Sequence, residues 1–105
     1  MRTLPAMLIL LAVALALPPD IGAADPVAAR GSALGNACAA CHGPNGRSQG
    51  AIPTIDTLSS ADFTAALQAF RANTRKGTVM NLIAKGLDDA DIEAVATYFA
   101  TLRRH

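Results

Sequence analysis

The sequence predicts a small all-α domain, and three observations favour this fold class. Apolar residues recur at helical spacing in the second half of the chain, and residues suited to helix caps precede those stretches. No stretch shows the apolar–polar alternation of a β-strand. A chain of 105 residues is long enough for one domain with one small core.

Residues 1–24 are expected to be a cleaved signal peptide that stands outside this domain. Arg2 supplies a positive charge, an apolar run follows it, and small residues at 22–24 suit a signal peptidase. An uncleaved membrane anchor is the alternative, but a spanning helix needs roughly 20 apolar residues, and a pair of prolines ends this run sooner. The mature domain is therefore predicted to comprise residues 25–105, exported and soluble.

The first helix of the domain is predicted over residues 27–40. Asp25 is a suitable N-cap, and Pro26 suits the first helical position, where its missing N–H costs no hydrogen bond. Gly31 and Gly35 each weaken a helix by about 1 kcal/mol relative to alanine. Their presence indicates either a close crossing with another helix or a short helix that frays.

The pentapeptide Cys38-Ala39-Ala40-Cys41-His42 has the C-x-x-C-H pattern of covalent haem c attachment. In this interpretation the thiols of Cys38 and Cys41 form thioethers with the haem, and the imidazole of His42 binds its iron. A redox-active disulfide is the first alternative, but it normally lies in a βαβ context that this sequence does not predict. A structural zinc site is the second, and it needs four Cys or His ligands, whereas the one other histidine is His105.

Residues 43–50 are rich in Gly, Pro, Asn and Ser, and they are predicted to form an irregular loop around the proximal side of the haem. Pro53 follows this loop. A ligating histidine usually donates its second ring N–H to a carbonyl or carboxylate, and the carbonyl of Pro53 is the candidate acceptor for His42. The alternative is an ordinary loop proline.

A second helix is predicted over residues 61–72, with Ser59 and Ser60 supplying its N-cap. Its apolar stripe follows the spacing i, i+4 and i+7 and consists of Phe63, Leu67 and Phe70. Residues 73–78 show no apolar period and contain a glycine, so the helix is expected to give way to a loop there.

Met80 is the only methionine outside residues 1–24, and the prediction puts it on that loop, between two helices. A methionine can be the second axial ligand of a haem iron that one histidine already holds, and it then raises the reduction potential. One alternative is that Met80 fills a gap in the core. Another is that the sixth position is taken by Lys76, Lys85, His105 or water.

A short helix is expected over residues 81–85, ended by Gly86. The last helix follows its N-cap, Asp88. Its buried stripe is predicted to consist of Ile92, Val95, Ala96, Phe99 and Leu102. Tyr98 stands beside that stripe, and it is expected to pack where this helix crosses the first one.

The domain has few large side chains for a core, since the whole chain contains three Phe, one Tyr and no Trp. Domains of about 80 residues are often marginal without a covalent or metal staple, and a buried haem would supply both the staple and the missing volume. The formal net charge of +1 provides no strong field for binding nucleic acid.

Five stretches resemble the class I c-type cytochromes, and the resemblance spans residues 30–102. They are C-A-A-C-H-G at 38–43, A-I-P at 51–53, T-V-M at 78–80, I-A-K-G-L at 83–87 and A-x-Y-F-A at 96–100. Their details look similar to the cytochrome subunit of flavocytochrome c sulfide dehydrogenase. One departure is the Asp-Thr pair at 56–57, where the family often has a small residue and a glycine. The turn after Pro53 is therefore expected to differ from the family's.

The resemblance implies one haem c with thioether bonds to Cys38 and Cys41, with His42 as the proximal ligand of its iron. It implies Met80 as the distal ligand, which makes the iron six-coordinate and low-spin. It also implies the small class I cytochrome c fold, in which the N- and C-terminal helices cross and loops wrap around one covalently bound haem.

The expected function is electron transfer in the periplasm, with no catalysis by this chain itself. The resemblance implies a flavoprotein sulfide dehydrogenase subunit as the electron donor. The alternatives are a free cytochrome that shuttles electrons in a respiratory or photosynthetic chain, and a ligand-binding haem protein with an open sixth position. A basic rim that docks an acidic partner is expected around Met80, and its members are Arg71, Arg75, Lys76 and Lys85. The alternative is that these are ordinary solvated charges.

Overall fold

The computed structural model describes residues 25–104, so the predicted signal peptide at 1–24 and the terminal His105 lie outside the described residues. Within 25–104 the chain forms four α-helices and no β-strand, which confirms the predicted all-α class. The helices are α1 (Pro26–His42), α2 (Ser60–Arg71), α3 (Met80–Lys85) and α4 (Asp89–Leu102). No helix in this part of the chain is both long enough and apolar enough to cross a bilayer.

Helix α1 begins as its sequence predicts and ends two residues later than predicted. The side chain of Asp25 accepts a hydrogen bond from the backbone N–H of Val27 at 3.0 Å, and Pro26 occupies the first turn. The helix continues to His42 because the N–H of Gly43 still bonds to the carbonyl of Ala39 at 2.9 Å. The whole C-x-x-C-H motif therefore lies on one continuous helix.

The N- and C-terminal helices cross closely, as predicted from the two glycines of α1. A Cβ atom at Gly31 would collide with the backbone carbonyl of Ala94, and a Cβ at Gly35 would overlap the ring of Tyr98. Both glycines are buried, so this space is occupied by α4 rather than by solvent. The predicted packing of Tyr98 at the crossing is confirmed.

Helices α2 and α3 complete the fold, and α2 packs against both α3 and α4. Ser59 caps α2 by accepting a hydrogen bond from the N–H of Asp62 at 3.0 Å. Arg71, at the other end of α2, donates to the carbonyl of Leu87 at 3.2 Å and to Asp89 at 2.5 Å. This arginine therefore ties α2 to the start of α4.

The hydrophobic core is formed by α2, α3 and α4, with α1 packed against it. Its buried members are Phe63, Leu67, Ala84, Ile92, Val95, Ala96 and Phe99. The rings of Phe63 and Phe99 stack with their centroids 5.2 Å apart, a geometry worth about 0.5–1.5 kcal/mol beyond burial. The predicted α4 stripe is confirmed, except that Leu102 is only half-buried. Asp88 and Asp91 form a reciprocal capping box at the start of this helix.

Two local expectations need correction. Residues 43–50 are not wholly irregular, because a single 3-10 turn forms over Pro44–Gly46, closed by a 2.9 Å bond from the N–H of Gly46 to the carbonyl of Gly43. Gly43 has φ +86°, and a Cβ there would collide with the carbonyl of Arg47, so this turn requires glycine. Met80 is not on the loop but is the first residue of α3.

Candidate functional site

The last two turns of α1 carry the two cysteines and the histidine of the predicted attachment motif. Cys38 is half-buried and packs against the hydrophobic core, whereas Cys41 is exposed. Residues three apart in a helix are surface neighbours, so the two thiols lie on one side of α1. Burial raises the pKa of the Cys38 thiol above its ordinary value, and a backbone hydrogen bond partly opposes that rise.

His42 is buried at the C-terminal end of α1, and its Nδ1 lies 2.6 Å from the carbonyl oxygen of Pro53. A carbonyl can only accept a hydrogen bond, so Nδ1 carries the proton and donates it. The lone pair of the neutral ring is then on Nε2, the atom left free to bind a metal. The structure thus brings together the two residues that the sequence analysis paired.

The loop that presents the Pro53 carbonyl is itself folded back onto the 3-10 turn. The carbonyl of Gly46 accepts hydrogen bonds from the N–H groups of Ile55 at 2.8 Å and Asp56 at 3.3 Å. Gly46 is buried with φ +80°, and a Cβ there would come within 2.8 Å of the ring of Phe99. This glycine therefore holds the histidine's loop directly against the core, a role that sequence reasoning missed.

Asp56 is a buried carboxylate in this loop, at the position where the sequence departs from the family that it resembles. Arg47 Nε donates to Asp56 Oδ2 at 2.6 Å, while Asp56 Oδ1 has no hydrogen-bond partner among the described residues. The side chain of Arg47 is 80% exposed and that of Asp56 is 10% exposed. The pair therefore consists of a surface cation that neutralises a buried anion. The two residues are nine positions apart, a spacing that does not predict their pairing from the sequence.

Met80 is half-buried at the first position of α3, and it packs against the same core cluster as Cys38. Helix α1, which bears the attachment motif, and the predicted distal ligand Met80 therefore pack against the same hydrophobic core. Lys76 and Lys85, the lysines considered as competing ligands, are both exposed. His105, the remaining protein alternative, lies outside the described residues.

An open cleft of about 340 Å³ lies beside Cys41, between the end of α1 and the loop that follows the 3-10 turn. Ile52 lines this cleft and is 44% exposed. Near Met80 in the sequence, Val79 and Ile83 are 56% and 43% exposed. Two thiols on one helix side, an imidazole with a free Nε2 and exposed apolar side chains suit a covalently attached haem.

The predicted basic rim around Met80 is narrower than the sequence suggests. Arg71 is occupied by Asp89 and by the carbonyl of Leu87, so its charge is locally balanced. The guanidinium of Arg75 lies 4.7 Å from the centroid of the Phe70 ring. Lys76 and Lys85 are exposed and form no salt bridge with any residue in 25–104. Of the four residues of the predicted rim, these two lysines and Arg75 remain available to contact a partner protein.

The comparisons with known proteins agree on one family. Residues 28–103 match the sequence model of cytochrome c. The cytochrome subunit of sulfide dehydrogenase from Chlorobaculum tepidum is 39% identical over 75 residues, which are 71% of this chain and 68% of that protein. Cytochrome c-553 from Helicobacter pylori is 36% identical over 73 residues, 68% of this chain and 76% of that protein.

A third relative matches only part of a longer protein. The thiosulfate dehydrogenase electron acceptor of Stutzerimonas stutzeri is 41% identical over 69 residues, and the match covers 62% of this chain but 32% of that protein. All three names describe cytochromes or electron acceptors, and two of them name a sulfide or a thiosulfate dehydrogenase.

Proposed function

This chain belongs to the cytochrome c family and carries one covalently bound haem c, and from that premise we propose that it is a periplasmic one-electron carrier with His42 and Met80 as axial ligands. Electron transfer to and from redox partners is the function of this family. The proposal extends to the attachment residues Cys38 and Cys41. It also includes a flavoprotein sulfide dehydrogenase subunit as the electron donor.

The contact between His42 and Pro53 is the observation that supports His42 as the proximal ligand of the iron. A 2.6 Å hydrogen bond to a carbonyl fixes both the tautomer and the plane of the ring. The ring cannot turn freely, because the helix holds one end of the side chain and the loop carbonyl holds the other. Pro53 therefore serves as a positioning residue, which orients the imidazole without touching the metal itself.

Met80 as distal ligand is supported by its burial and by its place on α3. It is half-buried against the core, while the lysines near it point to solvent. When bound, the haem supplies a reversible one-electron couple, and a methionine sulfur raises its potential. Two protein ligands leave no vacant position for a small molecule, so His42 and Met80 together favour electron transfer over catalysis at the metal.

Optical spectroscopy tests the ligation. Ferric haem with a methionine ligand is expected to show a weak band near ~700 nm, and Met80→Ala should abolish that band and lower the reduction potential. Leu82→Ala is the matched control, because Leu82 is on the same helix and is 75% exposed. A wild-type protein without the band, whose ferrous form binds carbon monoxide readily, would instead support the open-site alternative.

The flavoprotein donor is supported by the resemblance to the sulfide dehydrogenase cytochrome subunit and by the cations near Met80. Lys76 and Lys85 can steer an acidic partner, and such steering is expected to weaken with salt. Isolation of the native protein tests this proposal, because a stoichiometric flavoprotein should accompany it. If the cytochrome is isolated alone and the flavoprotein cannot reduce it, the free-shuttle alternative is favoured.

A charge-reversal experiment tests the docking residues. Lys76→Glu combined with Lys85→Glu should raise the KM for the partner and leave the optical spectrum unchanged, because neither lysine is a proposed ligand. Arg103→Glu combined with Arg104→Glu makes the same change of charge at the end of α4, where both arginines are exposed. Equal effects of the two double variants would mean that net charge, rather than a docking site, governs association.

Export to the periplasm is proposed from the signal peptide at residues 1–24, with residues 25–105 as the mature cytochrome domain. Cell fractionation and N-terminal sequencing of the purified protein test both points. The mature protein is expected to begin at Asp25 and to be released with the periplasmic fraction. A protein that retains Arg2 would contradict the proposed cleavage.

A further inference from the structure

The segment between α2 and α3, residues 72–79, is exposed along its whole length, yet its backbone is tied down at many points. The N–H groups of Thr74 and Arg75 both bond to the carbonyl of Ala69, at 3.0 and 3.2 Å. The N–H of Asn73 bonds to the carbonyl of Phe70 at 3.2 Å. An exposed loop with this many bonds to one helix is held closed against that helix.

The side chain of Asn81 joins three separate parts of this segment. Its Nδ2 donates to the carbonyl of Arg75 at 2.8 Å and to the carbonyl of Phe70 at 3.0 Å, with a longer contact of 3.4 Å to Asn73 Oδ1. Its Oδ1 accepts from the N–H of Gly77 at 2.9 Å. Only one orientation of the amide satisfies these partners, because carbonyls must receive the N–H and the Gly77 N–H must meet the oxygen.

Helix α3 cannot fix its own position. It contains six residues, and Val79 at its N-cap makes no side-chain capping bond. Isolated helices shorter than about 12 residues are marginal in water, so tertiary contacts determine where α3 begins. Asn81 is its second residue and the direct neighbour of Met80. The bonds made by Asn81 are thus side-chain contacts that anchor the start of this helix to the preceding loop.

The loop around Asn81 leaves little room for rearrangement. A Cβ at Gly77 would lie 2.9 Å from the ring of Phe70, so the backbone passes directly over that ring. The guanidinium of Arg75 covers the same ring at 4.7 Å from its centroid. Opening the loop would break the Asn81 bonds and these ring contacts together.

We propose that Asn81 is the positioning residue for Met80: its amide locks residues 72–79 closed and thereby keeps the methionine sulfur in ligating position. This inference rests on the proposed ligation by His42 and Met80. A ligand that raises the potential binds ferrous iron more strongly than ferric iron. The contribution of Asn81 should therefore be largest in the ferric protein, where the sulfur bond is weaker.

Competition with added imidazole measures this contribution. Imidazole binds ferric iron only after Met80 has left, so its affinity reports how easily the loop opens. Loss of two or three hydrogen bonds that break on opening should tighten imidazole binding about tenfold or more. Asn81→Leu removes all of the bonds at similar volume. Asn81→Asp keeps the acceptor for Gly77 but removes both donors, and it should also tighten binding.

A stability-matched control separates a local lock from a general loss of stability. Asp88→Ala removes the cap of α4, a change that typically costs about 1 kcal/mol and touches no residue of the loop. When urea denaturation shows that the two variants have lost the same free energy of unfolding, Asn81→Leu should bind imidazole more tightly than the wild type and Asp88→Ala should not. Equal tightening in both variants would overturn the inference, as would wild-type affinity in Asn81→Asp.

The wild-type spectrum distinguishes failure of this inference from failure of the proposed function. If the wild type lacks the methionine band, then the ligation itself is wrong. If the wild type has the band and Asn81→Leu keeps both the band and the wild-type imidazole affinity, then Met80 is a ligand but Asn81 does not position it.

Discussion

The ring of Tyr98 on α4 occupies the space in which a Cβ atom of residue 35 on α1 would stand. Tyr98 also packs edge-on against Phe99, with ring centroids 5.2 Å apart. The crossing of the first and last helices therefore depends on the absence of one methyl group at Gly35. Because the same helix carries His42, this contact also sets where the attachment motif sits relative to the core.

Gly35→Ala should destabilise the protein. Overpacking typically costs about 1–3 kcal/mol, and the gain in helix propensity returns about 1 kcal/mol, so a net loss of up to about 2 kcal/mol is expected. For a domain of this size, that corresponds to a fall in Tm of several degrees, measured by circular dichroism.

Gly50→Ala is the control for this substitution. Nothing lies within 4 Å of a Cβ placed at Gly50, and its backbone is not left-handed, so the Tm should stay close to that of the wild type. Adding Tyr98→Ala to Gly35→Ala should make the two losses less than additive. Strictly additive losses would contradict direct contact between these two residues.

The pair of Arg30 and Asp91 should make stability depend on acid pH. Arg30 Nε donates to Asp91 Oδ1 at 2.8 Å, and this bond, together with the backbone N–H of Asp88, holds the pKa of Asp91 below its ordinary value. The resulting stabilisation is complete above the ordinary pKa of about 3.9 and is lost as pH falls through the lower folded value. Urea denaturation at a series of pH values measures it.

Arg30→Gln isolates that contribution. The variant should be less stable than the wild type at pH 7, and the difference should shrink below about pH 4. Lys85→Gln removes the same charge from a residue without a salt bridge in the described part of the chain, and it should leave the pH dependence unchanged. A constant difference between Arg30→Gln and wild type across this pH range would exclude the linkage.

Removal of Arg47 should destabilise the protein through the anion it leaves behind. In Arg47→Ala the Asp56 carboxylate remains buried, with one oxygen already lacking a partner within residues 25–104, and an uncompensated buried charge is unfavourable. Combining Arg47→Ala with Asp56→Asn removes the charge, so the double variant should recover most of the lost Tm. A double variant less stable than Arg47→Ala would show that the carboxylate makes other favourable contacts.

Loss of covalent haem should unfold the domain. Cys38→Ser combined with Cys41→Ser is expected to leave a largely unfolded chain, because the helices bury few large side chains without the cofactor. Far-ultraviolet circular dichroism measures this effect. Ala39→Ser combined with Ala40→Ser adds two hydroxyls to the same turn and preserves the motif, so it should stay folded. A cooperative helical melt in the double cysteine variant would contradict the expectation.

Local signals account for what the sequence could predict. The three helix caps Asp25, Ser59 and Asp88 bond to N–H groups two or three residues away, so the sequence contains each complete interaction. The apolar stripes of α2 and α4 could also be predicted from local sequence, because apolar residues at helical spacing are the ones that face the core. The attachment motif is contiguous along the chain, and the Pro53 contact follows from the need of a ligating histidine for an acceptor.

Contacts without a sequence period could not be predicted. Asn81 reaches back to Phe70 and Gly77, and Gly46 accepts from Ile55 and Asp56, through bonds that depend on the path of the intervening loops. The start of α3 at Met80 was missed because Val79 makes no side-chain cap that would mark the boundary. In each case the backbone geometry, rather than residue type, determines the partner.

Helix α1 ends at His42, so the negative end of its macrodipole lies beside the proposed iron ligand. That end is equivalent to about half a negative elementary charge, which favours the ferric state and lowers the potential, whereas a methionine ligand raises it. The dipole beside His42 and the sulfur of Met80 are therefore expected to shift the reduction potential in opposite directions. A lysine introduced in the exposed last turn, Ala40→Lys, should offset the dipole and raise the midpoint potential in a potentiometric titration, and an unchanged potential would contradict this effect.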